Sequence, residues 1–393
     1  MPPAGDIGGF APGRSRRPPP GVLLRAMVYD GSGYADEARW IALGLHKTGI
    51  PTRLEPLGLP YDAQNLLSIE ERETLEILKH RRIDLAHGLL LQDTPANDFS
   101  LSMHGGRRVG RTMYETDSVP DGWVEYCEAM DEVWVPSTFN CETFARAGVA
   151  RNRLRAVPEG VDTTHFRPGL DPLPIPEKKG FAFLSVFEWI QRKGVDVLLR
   201  AYVEEFCPKE DVALLIKAYA RPDRSADLLP RIAYFVERQM GVRLEDAPTI
   251  VVLTPDFLTT EEIPRLYASA DTFVLPTRGE GWGRPFMEAL ACECPVIATR
   301  WSGQMDFLND ENCELVDCDV RPLPWTVDVE LSAGHQAAEP RVAHLRECMR
   351  RVFENRAAAK AKAVRGRREM REKWDWDVVI RERWAPEIER LLA

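Results

Sequence analysis

Short apolar segments alternate with longer amphipathic segments along most of the chain. The segment GVLLRAMVYD predicts a buried strand, and it is followed by the glycine-containing turn GSGY and the helical pattern ADEARWIALGLHKTG. The segment IPTRLEPL then predicts a second strand. Strands that alternate with helices are typical of a parallel sheet covered on both faces. The pattern therefore predicts an α/β fold.

The same alternation continues and then starts again after residue 180. In the first half, strands are predicted at RIDLAHGLLL, RRVGRTMYE, DEVWVPS and RLRAVPEGVD, with a helix at TFNCETFARAGV. In the second half, strands are predicted at FAFLSVFEW, VALLIKAYA, TIVVLTPDF, DTFVLPT and PVIATRW. Two α/β units of similar size would place a ligand in the cleft between them.

Two stretches of unusual composition suggest the domain boundaries. The first twenty residues are rich in Pro, Gly and Arg and lack the apolar core of a signal peptide, so a disordered leader is predicted at 1–20. The proline-dense segment FRPGLDPLPIPEKKG predicts an interdomain linker. We therefore predict a first domain at 21–167, a second at 168–375 and a C-terminal helix at 376–393.

Charge and cysteine content exclude several classes of protein. The net charge of −10 argues against a nucleic-acid binder, which usually carries a basic footprint. Local arginine clusters at 14–17 and 107–111 leave open a peripheral contact with an anionic membrane, beside the ordinary interpretation of a solvated face. No apolar run is long enough to span a bilayer, so the expected location is cytoplasmic. The eight cysteines lack zinc-type Cys-x-x-Cys spacing, and they are expected to be free thiols with no metal site.

A glycine-rich loop at GEGWGRPFMEA carries the clearest candidate chemistry. Its glycines allow a close approach to a ligand, and its proline suits the first turn of a helix. The N–H groups at such a helix start favour a phosphate. Glu280 and Glu288 can reach the same side, where carboxylates would accept hydrogen bonds from the vicinal hydroxyls of a sugar or ribose. A glutamate in a first helical turn is also favoured by the helix dipole alone, so spacing leaves both interpretations open.

The segment EGWGRPFME resembles the Glu-x7-Glu signature of retaining glycosyltransferases of the GT-B fold, family 4 in particular, the glycosyl transferases group 1. In the same order as in that family, similar segments occur at PEGVDTTHFRP, IPRLYASADTFVLPT and ALACECPVIATRWSG. The resemblance covers most of the chain. It implies two Rossmann-like doubly wound domains facing a cleft, with a C-terminal helix that crosses back to the first domain and acts in domain closure.

The resemblance further implies that a nucleotide-diphosphate sugar lies in the cleft, mostly on the second domain. Glu288 would then bind the nucleotide ribose and Glu280 the hydroxyls of the transferred sugar. Backbone N–H groups near Gly281, Trp282 and Gly283 would meet the sugar or the diphosphate. Because Trp282 stands where the family usually has Phe, its larger ring is expected to narrow the donor pocket.

Two neighbouring cations are expected to bind the diphosphate. Lys193 matches the family lysine, whereas Glu188 or Trp189 occupies the position of the family arginine, and Arg192 is the obvious substitute. The alternative is that Arg192 and Lys193 are ordinary charges near a helix cap. Arg284, in the glycine-rich loop, is counted among the donor-binding residues.

In the first domain, Gly31, Ser32 and Gly33 occupy the place of the family's glycine pair, whose backbone approaches the donor phosphates. A strand-to-helix turn without a ligand is the alternative. Glu115 stands in the loop where relatives often have a histidine beside the reacting sugar. It would orient the acceptor or be a loop carboxylate only.

The resemblance thus predicts a retaining hexosyl- or pentosyltransferase with Lys193, Arg192, Glu280 and Glu115 as its catalytic residues. It would need no metal, because the Asp-Cys-Asp segment at 317–319 is expected to be incidental, and no cofactor besides the nucleotide-sugar co-substrate. The donor nucleotide, the acceptor (glycan, lipid, small molecule or protein) and the oligomeric state are left open. The alternatives are another GT-B enzyme, such as a sugar-nucleotide epimerase, and a catalytically silent GT-B protein that binds a nucleotide sugar or a protein partner.

Overall fold

The computed structural model describes residues 17–58, 67–102, 106–219, 228–253, 258–322 and 334–393. Most of the predicted leader, residues 1–16, lies outside the described residues. Within them the chain forms two six-stranded parallel sheets flanked by helices. The predicted α/β fold with two doubly wound units is therefore confirmed.

The first sheet has the strand order β2-β1-β3-β4-β5-β6. Its elements are β1 (Pro20–Met27), α1 (Gly33–Lys47), β2 (Thr52–Leu57), α2 (Ile69–His80), β3 (Asp84–Asp93), β4 (Arg107–Arg111), α3 (Trp123–Glu128), β5 (Glu132–Val135), α4 (Thr138–Ala147) and β6 (Leu154–Ala156). The strand predicted at RRVGRTMYE ends at Arg111, so the last four residues of that segment form a loop that leaves the sheet at its carboxyl edge.

The burial pattern of α1 explains how this sheet is covered. Ala38, Ile41, Ala42 and Leu45 are all buried, and their spacing places them on one face of the helix. The helix begins at Ser32, whose side-chain oxygen accepts a hydrogen bond from the Ala35 N–H at 3.2 Å. The turn at the start of α1 is thus held at the carboxyl end of β1, at the edge of the sheet that faces the second domain.

The second sheet has the order β12-β11-β10-β7-β8-β9. Its elements are β7 (Phe181–Glu188), α5 (Val195–Glu205), β8 (Val212–Tyr219), α6 (Leu229–Tyr234), β9 (Thr249–Leu253), α7 (Glu262–Ala268), β10 (Thr272–Leu275), α8 (Arg284–Ala291), β11 (Val296–Thr299) and β12 (Glu314–Val316). Because β10 and β7 are neighbours, the loops that follow them meet at one point of the carboxyl edge.

A two-stranded antiparallel hairpin was not predicted from the sequence. Its strands are β13 (Cys318–Pro322) and β14 (Gln336–Pro340), and the backbone of Gln336 exchanges hydrogen bonds with Asp117 of the first domain. Asp319, from the Asp-x-Asp segment, lies on β13 and pairs with Arg341 at 2.6 Å. The hairpin thus forms a second-domain contact with the loop that carries Glu115.

The chain ends in helices that return to the first domain. After α9 (Val342–Glu354) and α10 (Arg356–Lys373), the elements are α11 (Trp376–Val379), a π-helical turn at Ile380–Trp384 and α12 (Ala385–Leu392). Buried side chains of this segment join the first-domain core, with the Trp376 ring stacked on Trp40 at 6.0 Å. The predicted return of the C-terminal helix is confirmed.

All eight cysteines are free thiols, as predicted. Within the part of the chain that the structure describes, no helix combines the length and the apolarity needed to cross a membrane.

We expect Trp384→Ala to lower the free energy of unfolding by about 3–5 kcal/mol, because a fully buried indole would be replaced by a cavity. The change would also remove the hydrogen bond from the indole N–H to the Pro158 carbonyl, which measures 2.9 Å. Urea unfolding is the measurement. The control is Arg383→Ala, an exposed neighbour on the same turn, which should change stability by no more than about 0.5 kcal/mol. Equal effects of the two changes would contradict a structural role of the returning helix.

Candidate functional site

Two loops of the second domain build the centre of the candidate site. One follows β7 and carries Arg192 and Lys193, and the other follows β10 and carries Glu280. The Arg278 N–H donates to the Arg192 carbonyl at 2.7 Å, which fixes one loop against the other. The glycine-rich segment and the predicted cation pair are therefore brought together because their strands are neighbours in the sheet.

Four side chains form what we call the charged quartet: Glu115, Arg192, Lys193 and Glu280. The Lys193 ammonium lies 2.7 and 2.8 Å from the two carboxylate oxygens of Glu280. Arg192 reaches Glu280 at 3.4 Å with one nitrogen and Glu115 of the first domain at 3.1 Å with the other. All four residues predicted to be catalytic thus meet at one place, and opposite charges alternate across the domain boundary.

The quartet is largely removed from water, and its charges compensate one another. Burial raises the pKa of Glu280, but the Lys193 ammonium and the Arg192 guanidinium outweigh this and hold that pKa below its usual value. Burial lowers the pKa of Lys193, and Glu280 opposes the shift without cancelling it. Glu280 is therefore ionised at neutral pH and needs its two cations in order to remain buried.

The glycines of the loop allow it to approach the first domain. A Cβ atom on Gly279 would lie 1.9 Å from the Glu115 carbonyl oxygen, and one on Gly281 would lie 2.7 Å from the Met113 sulfur. The Ser137 hydroxyl of the first domain also donates to the Gly281 carbonyl at 2.9 Å. The close approach that these glycines allow in this structure is thus between the two domains.

Glu280 is held by contacts that sequence reasoning missed. Its backbone N–H donates to the Ser302 hydroxyl oxygen at 2.9 Å, and that hydroxyl in turn donates to Gln304 at 2.8 Å. Ser302 has a φ of +75°, a conformation that non-glycine residues rarely adopt. The sequence offered two signals, its place three residues after β11 and its position in the segment ALACECPVIATRWSG that carries the family resemblance.

The start of α8 carries the remaining residues predicted to bind the donor. Gly283 caps this helix with a φ of +104°. The hydroxyl of Tyr267, on α7, donates to the Glu288 carboxylate at 2.7 Å. Arg284 forms an ion pair with Asp36 of the first domain and lies 3.6 Å from Glu159. In this structure Arg284 therefore bridges the two domains.

The expectation that the Trp282 ring narrows the donor pocket is wrong. Its side chain is 1% exposed and packs against Phe307 and Trp374, with ring centroids 5.1 and 5.5 Å away. The ring points into the second-domain core because that core offers a large aromatic cluster, and the indole N–H donates to the Met287 sulfur at 3.0 Å. The ring is therefore not available to line a pocket in the cleft.

Gly31 and Ser32 lie in the turn before α1, and Gly33 is the first residue of that helix, close in sequence to Asp36. Neither glycine has a positive φ, and an added Cβ atom would meet no other atom within 4 Å at either position. The Ser32 side chain is engaged as the helix cap. The ion pair of Asp36 with Arg284 places this turn close to the start of α8. The space around its two glycines is open.

Behind the α8 contact lies a set of buried carboxyl groups, Glu37, Asp93 and Glu159, which we call the buried acid cluster. Arg111 donates to Glu37 at 2.9 Å, and both carboxylate oxygens of Asp93 are without a hydrogen-bond partner among the described residues. Burial, reinforced by Glu37, raises the pKa of Glu159 to about 8 and raises that of Asp93 well above its usual value. The three carboxyl groups face only two guanidinium groups, those of Arg111 and Arg284. Protonation of a carboxyl group therefore removes the excess of negative charge in the cluster.

Among the described residues, no group of three or more His, Cys, Asp or Glu side chains is arranged to hold a metal ion.

Comparisons with known proteins agree with the architecture. Residues 178–322 match the family model described as "Glycosyl transferases group 1". Over 257 residues the chain is 31% identical to a GDP-mannose-dependent alpha-(1-6)-phosphatidylinositol monomannoside mannosyltransferase of Mycolicibacterium smegmatis, covering 62% of this chain and 64% of the relative. Over 187 residues it is 27% identical to a D-inositol 3-phosphate glycosyltransferase of Segniliparus rotundus, covering 45% of this chain and 38% of the relative. The chain thus matches between 38% and 64% of the length of these two curated relatives.

Solved structures share the fold over nearly the whole chain. A sucrose-phosphate synthase of Thermosynechococcus elongatus superposes with a TM-score of 0.67 at 16% identity, covering 96% of this chain and 99% of that one. HepE of Anabaena, in complex with UDP and glucose, superposes with a TM-score of 0.63 at 15% identity, covering 94% and 99%. The GT-B fold is therefore confirmed, and the resemblance to group 1 glycosyltransferases is confirmed by the sequence matches.

We expect Glu159→Gln to make the protein more stable than wild type at alkaline pH. Between the ordinary glutamate pKa of 4.5 and the folded value of about 8, the folded state binds more protons than the unfolded state. The free energy of unfolding must therefore fall as pH rises through this range. A neutral glutamine removes this contribution, so stability at pH 9 should rise by roughly 1–3 kcal/mol, with little change at pH 5.

The measurement is urea unfolding at several pH values between 5 and 9. The exposed Glu354→Gln is the matched control and should follow the wild-type pH dependence. If Glu159→Gln also followed it, the buried carboxyl would not be holding a proton.

Proposed function

We propose that this chain, whose residues 178–322 match the group 1 glycosyltransferases, transfers a sugar from a nucleotide-diphosphate sugar to an acceptor with retention at the anomeric carbon. The observation that carries the proposal is the charged quartet at the carboxyl edge of the second sheet. Two cations and Glu280 meet there on loops fixed to each other, and the first domain closes over them through Glu115. A silent binder would have no need for such an arrangement.

The chemistry requires stabilisation of the leaving group. As the bond between the anomeric carbon and the phosphate oxygen breaks, negative charge develops on the nucleoside diphosphate. Lys193 and Arg192 supply positive charge at a partly desolvated position, where fixed charges act strongly. The acceptor oxygen forms its bond to the anomeric carbon on the same face, and its proton passes to the departing phosphate oxygen. No protein base is then required, and no metal or additional cofactor enters the proposal.

Binding of the donor must change the partners of the quartet. In this structure the Lys193 ammonium is engaged by both oxygens of Glu280. A diphosphate that takes up Lys193 and Arg192 would release these oxygens to accept hydrogen bonds from the hydroxyls of the transferred sugar. Glu115 would stay with Arg192 and orient it from the acceptor side. The ribose would reach Glu288, and the N–H groups of the loop at 281–283 would meet the phosphates or the sugar.

The names of the relatives suggest which substrates to test first. The M. smegmatis relative is named for GDP-mannose and a phosphatidylinositol mannoside, and the S. rotundus relative for D-inositol 3-phosphate. HepE was solved with UDP. We therefore propose a GDP- or UDP-sugar donor and an inositol-containing acceptor, used in the cytoplasm. A lipid acceptor would require a peripheral membrane contact. Of the cluster predicted at 107–111, Arg107 and Arg108 are available for it, whereas Arg111 is buried against Glu37.

The first test is a thermal-shift screen against GDP-, UDP-, ADP- and dTDP-sugars. A donor that binds only the folded protein should raise the melting temperature. Glu288→Ala should lose this response if the carboxylate holds the ribose. If no nucleotide sugar stabilised the wild-type protein or was turned over, the proposed function would be wrong.

The second test measures turnover by release of the nucleoside diphosphate, with and without inositol acceptors. We expect Lys193→Ala to lower kcat by about 10²–10³-fold, as when one charge-stabilising donor is removed from an active site. Lys360→Ala, which removes an exposed lysine from α10, is the control and should leave kcat unchanged. Donor binding without any turnover would favour the silent alternative. Activity lost on treatment with EDTA would contradict the metal-independent mechanism, and inversion of the anomeric configuration would contradict retention.

A further inference from the structure

We propose that Tyr267 is a positioning residue, which holds the carboxylate of Glu288 in the orientation that the ribose hydroxyls of the donor require. This inference rests on the proposed function, in which Glu288 accepts hydrogen bonds from the ribose. It concerns a residue on a different helix, α7, that would not itself touch the donor. Its role would be exerted wholly through the second oxygen of the Glu288 carboxylate.

The geometry of the pair is well defined. The Tyr267 hydroxyl donates to Oε2 of Glu288 at 2.7 Å, a short distance that is typical of a hydrogen bond to a charged acceptor. Tyr267 is 1% exposed, and its ring packs against Phe166 and Phe273, with centroid distances of 6.1 and 5.7 Å. The hydroxyl is therefore delivered by a ring that cannot move freely, and it fixes the plane of the carboxylate.

The tyrosine leaves the carboxylate able to bind a diol. An ionised carboxylate offers about four acceptor positions, and one hydroxyl donor occupies one of them. Glu288 itself is half-buried, so its carboxylate can be reached from the cleft. Two vicinal ribose hydroxyls can then donate to the remaining positions, provided that the carboxyl group is ionised and does not rotate.

The Tyr267 hydrogen bond also acts on the ionisation of Glu288. Burial raises the pKa of Glu288, and the neighbouring Asp36 adds to this. The Arg284 guanidinium, the Tyr267 hydrogen bond and Lys217 act in the opposite direction. Since the net shift is upward, removal of the tyrosine hydroxyl would raise the pKa further and favour the protonated carboxyl, which accepts fewer hydrogen bonds.

The Tyr267 hydroxyl, which donates the hydrogen bond to Glu288, is itself protected from ionisation. Burial raises the pKa of Tyr267 well above its usual value, and the Glu288 charge raises it further. The neighbouring thiols of Cys292 and Cys294 also have pKa values raised by burial, so they are neutral. Tyr267 therefore remains a hydrogen-bond donor over the whole range in which Glu288 titrates.

The test is the dissociation constant of GDP and of UDP, measured by calorimetry between pH 5 and 9 for wild type and Tyr267→Phe. We expect Tyr267→Phe to weaken binding of whichever nucleotide the wild type prefers by about 3- to 10-fold at neutral pH. The pH midpoint below which binding is lost should move upward by about one unit. At saturating donor, kcat should change less than twofold, so the effect on turnover should appear in KM. Glu288→Gln should bind weakly with no such midpoint.

A matched control separates positioning from stability. Tyr202, on α5, is also buried in the second domain, and its hydroxyl donates to the Thr249 carbonyl at 2.8 Å. Thr249 begins β9, so this hydrogen bond lies at the opposite edge of the sheet from the site. Tyr202→Phe should lower stability about as much as Tyr267→Phe, but it should leave the dissociation constant and its pH midpoint unchanged.

The outcomes distinguish this inference from the proposed function. If wild type bound neither nucleotide at any pH, the proposed function would fail together with the inference. If wild type bound one of them and Tyr267→Phe, shown to be folded by its urea transition, kept both the affinity and the pH midpoint, only the positioning role would be overturned. The same would follow if Tyr202→Phe shifted the midpoint equally.

Discussion

The ion pair between Lys193 and Glu280 is the contact on which the architecture of the site depends. The two side chains are 12% and 8% exposed, so neither charge could be held there without the other. They meet because β7 and β10 are adjacent and because the loops after them are fixed to each other through the Arg192 carbonyl. The pair therefore ties the topology of the second sheet to the chemistry proposed for its carboxyl edge.

Contacts between the domains differ on the two sides of the molecule. At the returning C-terminal helices Trp376 and Trp384 are buried in the first-domain core, and ion pairs such as that of Arg390 with Glu132 at 2.8 Å lie beside them. Around the cleft they are polar and include the Ser137 hydroxyl on the Gly281 carbonyl and the Thr138 hydroxyl on Asp306 at 2.6 Å. Apolar burial is costly to undo, whereas polar groups can exchange partners with water. This distribution permits the cleft to open while the opposite side stays joined, as entry of a substrate requires.

The sequence was informative where the structure depends on local pattern. Alternation of apolar strands with amphipathic helices predicted all six strands of the first sheet and five of the second, but not the edge strand β12. The spacing of Glu280 and Glu288 around the glycines predicted a loop followed by a helix start. Contacts between side chains that lie far apart in sequence could not be predicted from such local patterns. Nothing in a local pattern indicates that Asp36, in a first helical turn where an acid is favoured anyway, would meet Arg284 of the other domain.

The side-chain direction of Trp282 likewise depends on residues that are distant in sequence, so a local pattern could not predict it. A resemblance can indicate that an aromatic ring belongs at this position, but its direction depends on which face of the loop offers an aromatic neighbourhood. Phe307 and Trp374, which provide it, come from segments distant in sequence. The β13–β14 hairpin was not predicted for a related reason: its short strands have little apolar alternation, and among the described residues they form a sheet only with each other.

Arg284 lies between the interdomain contacts and the carboxylate proposed to bind the donor. Its guanidinium faces Asp36 and Glu159, and the Glu288 charge also acts on it from one helical turn away on α8. One cation is thus shared between carboxylates that hold the domains together and the carboxylate proposed to hold the ribose. Any movement that separates Asp36 from Arg284 changes the field at Glu288, because the repulsion from Asp36 weakens while the attraction from Arg284 remains.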